Sequence, residues 1–600
     1  QKCKSLECFG DEKITNASYA MKILASSGRP HSLALDELSL TLAGDPKLCA
    51  SIEVKGPYAT KYCFLHVHMD WTAIDLDSYG ISLAHLPGGK IPDIEDREGI
   101  DRCATMAVSS VRVAFCMPAS CERDTDIRRI LSNVTNGTAE LCEIACVGPM
   151  EERRNTFFYV FNGVIITLII VAIAASLLDY LAEVRIKDLE QNGMTGWKIL
   201  MSFSIPRNTS SLFSIRQDAD AILSLHAIKF ISFTWVANAH ADIFAADGDN
   251  GLQFFRESDY FFADVFLNSY ASVDTFFLVS GLLVAYKFFR VRVIYRTNFD
   301  IDVKKAHKNP EYAYSSYEWT ILTPSYLLFI ALFVAWTPQM HGIWATSTAQ
   351  NATLYVKNCE NYWWLNALYL SNFGHIADIC YPISWFLAVD TQLYWIAPLF
   401  LFAIFYSWKA GIASVLGGVL FGVCATIFLT AYYDLPAMGF TIKDLVSLDY
   451  ITKLYMKPWT RIIPYIVGIL CGYFIVLIRE KIIKIRQPKT SEIAVCWLIS
   501  TICALSVIFS VYDYIRGPVK MLLEHPLWYP LGRLSYCAFL SHWMMIHVLM
   551  DGGDRPSHFV SLWHTYLTVT VPVVFLSYIM AYVWSCLVEM PFMNIEGVLL

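Results

Sequence analysis

One apolar stretch, residues 225–244, carries ionisable and amide side chains: His226, Lys229, Asn238, His240 and Asp242. An ionisable group inside a membrane costs about 3 kcal/mol or more, so such groups mark functional sites. Lys229 and His240 are eleven residues apart. On a helix this is close to three turns, so both face one side, about 16 Å apart along the axis. The stretch predicts a helix that presents a cation and an imidazole base to one channel.

Other apolar segments carry polar groups as well. In chain order these are Asp274, Ser280, Trp385, Asp390, Gln392, Tyr394, Arg461, Tyr536, His542 and Glu589. The pair Ser280–Gly281 is typical of close helix packing; alternatively, it opens the backbone to a phosphate or a thioester carbonyl. His542 is either a packing residue or a functional one. We expect Glu589, at the end of the last span, to reach headgroup water.

A carboxylate inside a membrane, such as Asp390, needs a partner. The candidates are His240, Lys229 and Arg461, and the resulting pair is either structural or catalytic. The sequence shows no GxSxG elbow, phosphate-binding loop, HExxH or CxxC motif, so we expect no metal site. It also has no basic tract with interleaved aromatic residues, which argues against a nucleic-acid partner.

The elements that position these residues are membrane helices. The composition is 55% hydrophobic and only 16% charged, with 37 Phe, 33 Tyr and 17 Trp, which indicates many spans with aromatic belts. We predict an all-α polytopic membrane protein of about 10–11 transmembrane helices, of which ten are readily placed. They cover about 157–178, 220–243, 264–286, 319–337, 384–406, 410–432, 460–478, 491–512, 532–550 and 562–588.

Basic loops set the predicted orientation. Lys and Arg cluster after the first span, in the loop near 287–308 and in the loop near 479–489. By the positive-inside rule these loops are cytosolic, which places the N-terminal domain outside. The sequons at Asn16, Asn133, Asn136 and Asn351 agree with glycosylation on that side. Asn208 also begins a sequon but lies in a loop predicted to be cytosolic, so we expect it to carry no glycan.

Residues 1–150 are rich in cysteine and contain no predicted span. We predict a mainly helical luminal or extracellular domain with a disulfide framework, with helix-like spacing at 19–27 and 124–132. The domain either has a purely structural role or presents lipid or acceptor to the membrane part. A removed signal peptide is expected, and Cys359 and Cys380 predict a further luminal disulfide. The nine N-terminal cysteines are Cys3, Cys8, Cys49, Cys63, Cys103, Cys116, Cys121, Cys142 and Cys146.

We therefore expect three parts. Residues 1–150 form the Cys-rich domain, 151–217 the first transmembrane helix with a cytosolic linker, and 218–600 the main transmembrane domain. With these segments laid out, the chain resembles the nose-resistant-to-fluoxetine family, whose membrane core is of the acyltransferase-3 type. The resemblance rests on the order and spacing of segments 115–121, 226–240, 273–283, 385–394 and 530–542, supported by 459–461 and 465–468.

The resemblance implies an integral-membrane O-acyltransferase that moves an acyl group from cytosolic acyl-CoA to a hydroxyl of a lipid or sugar acceptor. Lys229 stands where the family's signature has Arg, and His240 matches the signature's His, with ten residues between the two. His240 would then be the general base and Asp390 would orient it. The residues expected to bind substrate or cofactor are Lys229, Ser280, Trp385, Tyr394, Arg461, Tyr536 and His542.

Two other functions remain open. Three positions differ from the family's usual residues: Lys229 replaces an Arg, His226 replaces a frequent Asp, and Asp390 replaces the Glu of bacterial relatives. The channel that Lys229 and His240 face could therefore serve a catalytically altered lipid-binding or lipid-transport protein. A third interpretation is a receptor-like protein whose N-terminal domain binds a partner. The expected partners are membrane lipids, acyl-CoA and the acceptor, and a homo-oligomer is compatible with the chain. The expected location is the endoplasmic reticulum or the plasma membrane.

Overall fold

The described residues of the N-terminal part form a four-stranded β-sheet with one short helix. A computed structural model provides the structure, and it describes residues 25–28, 41–50, 60–69, 110–118, 139–146, 155–181, 195–216, 221–246, 248–250, 253–254, 263–297, 310–340, 352–374, 378–435, 449–483, 526–553 and 557–599. The strands β1–β4 pair in the order β1-β3-β2-β4, with β1 parallel to β3 and the other pairs antiparallel. Their bounds are Thr41–Leu42, Thr60–Met69, Ser110–Pro118 and Ala139–Cys146, and a short helix, α1, covers Pro46–Ala50.

The expectation of a mainly helical N-terminal domain is wrong for this described part. In β2, residues 62–67 are all buried, so both faces of the strand are covered. A strand of this kind has a continuous apolar run without alternation, which period-based analysis does not separate from a helix. Segment 124–132 and most of 19–27, which we expected to be helical, lie outside the described residues, as do the four sequons at Asn16, Asn133, Asn136 and Asn351.

Two disulfides fasten the sheet, Cys49–Cys116 and Cys63–Cys146. The second joins neighbouring strands β2 and β4, whereas the first joins α1 to β3. The predicted pair Cys359–Cys380 is also formed. The side chains of Cys3, Cys8, Cys103, Cys121 and Cys142 lie outside the described part of the chain.

The described residues after position 150 are mainly helical and carry the membrane spans. Seven described segments are long and apolar enough to cross a membrane. Helices α5 and α13 are also 23 residues long but less apolar, because they carry the polar groups of the candidate site. The predicted span 491–512 lies outside the described residues. The helices are α2 Thr156–Leu181, α3 Thr195–Met201, α4 Ile205–Leu212, α5 Ser224–Ala246, α6 Ala263–Leu267, α7 Ser272–Thr297, α8 Pro310–Met340, α9 Ala352–Ala367, α10 Ser384–Tyr406, α11 Trp408–Tyr432, α12 Pro458–Arg479, α13 Trp528–Met550, α14 Leu562–Thr565, α15 Val571–Trp584 and α16 Met590–Leu599.

Single turns of π-helix, Tyr566–Thr570 and Ser585–Glu589, join α14, α15 and α16 into one long helical segment. Such turns are frequent at functional sites. Another π-helical stretch, Tyr450–Tyr455, precedes α12, and short 3₁₀ turns at Asn268–Ala271 and Ser371–Phe373 precede α7 and α10.

Helices α7 and α12 pack side by side and run in the same direction. Asp274 pairs with Arg461 near their first turns, and Arg479 donates to the Tyr286 hydroxyl at the other end. Between these points the backbones touch: a Cβ on Gly468 would lie 2.0 Å from the Leu278 carbonyl oxygen. Only a residue without a side chain allows this approach.

Gly281 makes the same kind of contact, because its Cβ would lie 2.2 Å from the Tyr465 carbonyl oxygen. Of the two interpretations of the pair Ser280–Gly281, the structure therefore supports close helix packing for Gly281.

The N-terminal sheet contacts the bundle at the end where α5 stops. Arg112 of β3 donates to the Gly248 carbonyl, two residues beyond α5. The next residue, Asp249, accepts a hydrogen bond from His558, and burial raises its carboxyl pKa. The sheet and the C-terminal end of α5 thus lie on one side of the bundle. The linker lies near the other end, where Asn208 is buried and donates to the Cys586 carbonyl.

Candidate functional site

A pair of histidines from α5 and α13 forms the centre of the site. His240 Nδ1 lies 2.7 Å from His542 Nε2, and the two rings stack with their centroids 4.9 Å apart. The pair arises because α5 and α13 run in parallel, with His226 beside Gly532 at their first turns. A Cβ on Gly532 would lie 2.6 Å from the His226 Cα, so this glycine lets the two helices meet.

Aromatic side chains enclose the histidine pair. Phe233 and Phe539 contact the His542 ring, and Trp543 contacts the His240 ring at 5.1 Å between centroids. His542 is completely buried, whereas His240 remains partly exposed. His542 Nδ1 also lies 2.5 Å from the backbone carbonyl of Phe539. His240 is therefore held at one ring nitrogen while part of its surface remains exposed.

A second polar group lies on a different face of α5. Asn238 donates to Asp242 at 2.7 Å and accepts from the Thr570 hydroxyl of the long C-terminal helix. Asp242 is buried, and its second oxygen has no hydrogen-bond partner among the described residues. These groups join α5 to the π-helical turn at 566–570, so they hold the helix that carries His240.

Lys229 lies about 16 Å from His240 along α5, as its spacing predicts. Lys287 and Glu589 are close enough to act on its ammonium group electrostatically. Glu589 is buried and accepts hydrogen bonds from Ser585 at 2.7 Å and from the Cys537 thiol at 3.1 Å. The expectation that Glu589 reaches headgroup water is therefore wrong: π-helical geometry turns it into the bundle.

Ser232 lies between Lys229 and His240 along α5. The hydroxyls of Ser232 on α5 and Thr275 near the start of α7 lie 2.5 Å apart. His240 is eight residues beyond Ser232, about 12 Å towards the N-terminal domain. Lys229 is three residues before Ser232 and therefore lies in the opposite direction, about 4.5 Å along α5.

Other predicted site residues form a separate cluster. Ser280 is a hydrogen-bond partner of the Asp390 carboxyl group, which has one oxygen without a described partner. Arg461 pairs with Asp274 at 3.0 Å and stacks on Tyr455. The structure therefore gives Asp390 a hydroxyl partner in place of the three cations that the sequence offered.

The three aromatic candidates pack within the helical bundle. Trp385 packs on Tyr455 at 4.9 Å between ring centroids, and Tyr394 is buried. The Tyr536 hydroxyl donates to the Leu322 carbonyl at 3.3 Å, so it links α13 to α8.

Sequence reasoning missed one pair next to the site. His547 Nδ1 lies 2.5 Å from Asp551 Oδ2, both residues are buried, and Phe244 covers the His547 ring. A His and an Asp four residues apart at the end of a span were the available signal. No group of three or more potential metal ligands occurs within the described ranges.

Comparison with known proteins places this geometry in a family. The acyltransferase domain model of the acyltransferase-3 type matches residues 222–582, which include both histidines, Lys229 and Asp390. Nose resistant to fluoxetine protein 6 of Caenorhabditis elegans is 23% identical over 560 residues, covering 82% of this chain and 66% of that protein. Regulator of hypoxia-inducible factor 1 of the same organism is 22% identical over 451 residues, covering 66% of this chain and 83% of that protein.

The chain thus spans slightly less than two thirds of the first relative's length. No solved structure matches. The family match covers more than half of the chain and contains the helices that build the candidate site. The chain belongs to the acyltransferase-3 family, and its likeness to nose resistant to fluoxetine protein 6 agrees with the resemblance found in the sequence.

Proposed function

We propose that the protein transfers an acyl group from acyl-CoA to a hydroxyl of a lipid or sugar acceptor, with His240 as the general base. The observation that carries this proposal is the state of His240: one ring nitrogen bonds to a buried histidine, while the residue remains partly exposed. An imidazole held in this way suits proton abstraction near neutral pH.

One base is sufficient for the reaction, because the same proton is taken up and then returned. The acceptor oxygen attacks the thioester carbonyl while its proton moves to His240. The new ester bond forms as the carbon–sulfur bond breaks, and the CoA thiolate leaves and receives the proton from His240. General base catalysis of this kind contributes about 10²–10⁴-fold to a rate.

Lys229 is the group we assign to the CoA phosphates. It supplies a point charge on the helix that carries the base, about 16 Å away. Glu589 acts on the same ammonium group and would weaken its attraction for a phosphate unless it is protonated or displaced. The role assigned to Arg461 at the phosphates finds less support, because this guanidinium pairs with Asp274.

Asp390 was expected to orient His240. The nitrogen that an orienting carboxylate would hold is the one that faces His542, and Asp390 bonds to Ser280 instead. We therefore assign the orientation of His240 to α13 and keep Asp390 as a residue that supports the α7–α10 contact.

We further propose that the donor enters from the cytosol and that the acceptor approaches from the side of the N-terminal domain. The basic loops argue for a cytosolic end near Lys229. The contact between Arg112 and Gly248 supports an opposite location for the sheet. The disulfides Cys49–Cys116 and Cys63–Cys146 suit an oxidising compartment, which fits the endoplasmic reticulum lumen or the cell surface.

Turnover by the purified full chain tests the proposal. Radiolabelled acyl-CoA of several chain lengths is supplied with total membrane lipid as the acceptor, and CoA release and labelled ester are both measured. We expect His240→Ala to lose 10²-fold or more in rate. His564→Ala is the matched control, because His564 is exposed and bonds only within its own helical turn among the described residues.

Undiminished ester formation by His240→Ala would exclude His240 as the base. A wild-type chain that releases no CoA but copurifies with an intact phospholipid would instead favour the lipid-transport alternative.

A further inference from the structure

The contacts of His542 determine which nitrogen of His240 carries a proton. A backbone carbonyl oxygen can only accept a hydrogen bond. Since His542 Nδ1 lies 2.5 Å from the Phe539 carbonyl, this nitrogen must carry a hydrogen. A ring lone pair facing carbonyl lone pairs at that distance would be repulsive.

The same ring must be neutral, because His542 is completely buried against the rings of Phe233 and Phe539, and an unpaired charge there would be costly. A neutral imidazole with hydrogen on Nδ1 has its lone pair on Nε2. His542 Nε2 is the atom that faces His240 Nδ1 at 2.7 Å, so His240 is the donor in that bond. His240 then carries its own hydrogen on Nδ1 and its lone pair on Nε2.

We propose that His542 is a positioning residue that selects this form of His240 and holds it through the reaction, so that Nε2 of His240 is the basic atom. The proposal rests on the proposed function of His240. When Nε2 takes the acceptor proton, the His240 imidazolium keeps donating from Nδ1 to a neutral His542. Hydrogen bonds from a charged donor are about twice as strong as neutral ones, so this bond strengthens as the charge develops.

The chain therefore uses a histidine where an orienting carboxylate is more familiar. This arrangement corrects our expectation that His542 binds substrate, since both of its ring nitrogens are already engaged within the protein. It also holds the pair without adding a negative charge to an apolar region.

Two substitutions separate the two bonds of His542. In His542→Gln the side-chain oxygen lies near the former Nε2 and can accept from His240. In His542→Asn the amide lies near the former Nδ1 and keeps only the bond to the Phe539 carbonyl. We expect His542→Gln to stay within about 10-fold of the wild-type rate and His542→Asn to lose about 10²-fold, with KM for acyl-CoA unchanged in both and similar melting temperatures.

Equal losses in the two variants, or no loss in His542→Asn, would overturn the proposal. A difference spectrum provides a readout that needs no turnover: nitrogen-15 histidine spectra of the wild-type chain in lipid, minus those of His240→Ala. We expect the missing signals to be those of a ring with hydrogen on Nδ1 and a bare Nε2. Hydrogen on Nε2 of His240 would refute the assignment even if the acyl-transfer proposal holds, whereas absent turnover with the expected spectrum would refute only the latter.

Discussion

Replacing Gly468 by Ala tests the backbone contact between α7 and α12. The added Cβ would lie 2.0 Å from the Leu278 carbonyl oxygen, and 2.9 Å from the Leu282 nitrogen. Restoring an ordinary contact of 3.4 Å requires a movement of about 1.4 Å between two backbones, which cannot rotate away as a side chain can. Overpacking of this kind costs about 1–3 kcal/mol.

Alanine favours a helix over glycine by about 1 kcal/mol, which partly offsets the clash. Gly417→Ala in α11 isolates this gain, because a Cβ added at Gly417 would meet nothing within 4 Å. Thermal unfolding of the purified chain in one detergent, followed by intrinsic fluorescence and by size-exclusion chromatography, compares the two variants. We expect Gly468→Ala to melt several degrees below the wild type and Gly417→Ala to melt at or above it. Equal melting temperatures for the two variants would refute the close contact.

Three further outcomes follow from other parts of the chain. Burial, with a contribution from Arg112, lowers the pKa of His66 in β2 from 6.5 to about 3. Since the unfolded chain binds this proton first, the stability of the sheet should fall as the pH drops from 6.5 towards 3, by about 2 kcal/mol at pH 5. His66→Gln should flatten the profile of melting temperature against pH over that range. Replacing both Cys359 and Cys380 by Ala opens a crosslink of sequence separation 21 and should cost about 3 kcal/mol, seen as a melting temperature below that of the wild type without reductant. Asn351→Gln should reduce the glycosidase-sensitive mobility shift by the contribution of one glycan, whereas Asn208→Gln should leave mobility unchanged because that side chain is buried.

Local features of the sequence predicted much of the membrane domain. The apolar runs predicted the seven described spans, and the polar groups of 225–244 identified the helix that carries His240. The pairing of Cys359 with Cys380 also followed from two cysteines in one short loop. In each case the information lies within one segment.

The partners of charged residues could not be predicted in this way. Successive residues of a helix point about 100° apart, so a small rotation decides which groups meet. Asp390 could have met His240, Lys229 or Arg461, and the rotation of α10 and α7 brings Ser280 to it. The pairing of His240 with His542, 302 positions along the chain, likewise depends on how α5 and α13 pack.

The sheet was missed for a different reason. Residues 62–67 of β2 are covered on both faces, and a bulge between His66 and Val67 shifts the register with β4. Both features remove the alternation by which a strand is normally identified. The aromatic and β-branched residues of β2 and β3 were the remaining signal.

The parallel α7–α12 pair also limits how the protein can move. An ion pair ties it near one end, a guanidinium–phenol bond ties it at the other, and bare glycines bring the two main chains together in between. Two helices joined in this manner move as one rigid unit, so they do not separate to admit a bulky acyl chain. We therefore expect any opening for an acyl chain to occur at helix contacts other than the one between α7 and α12.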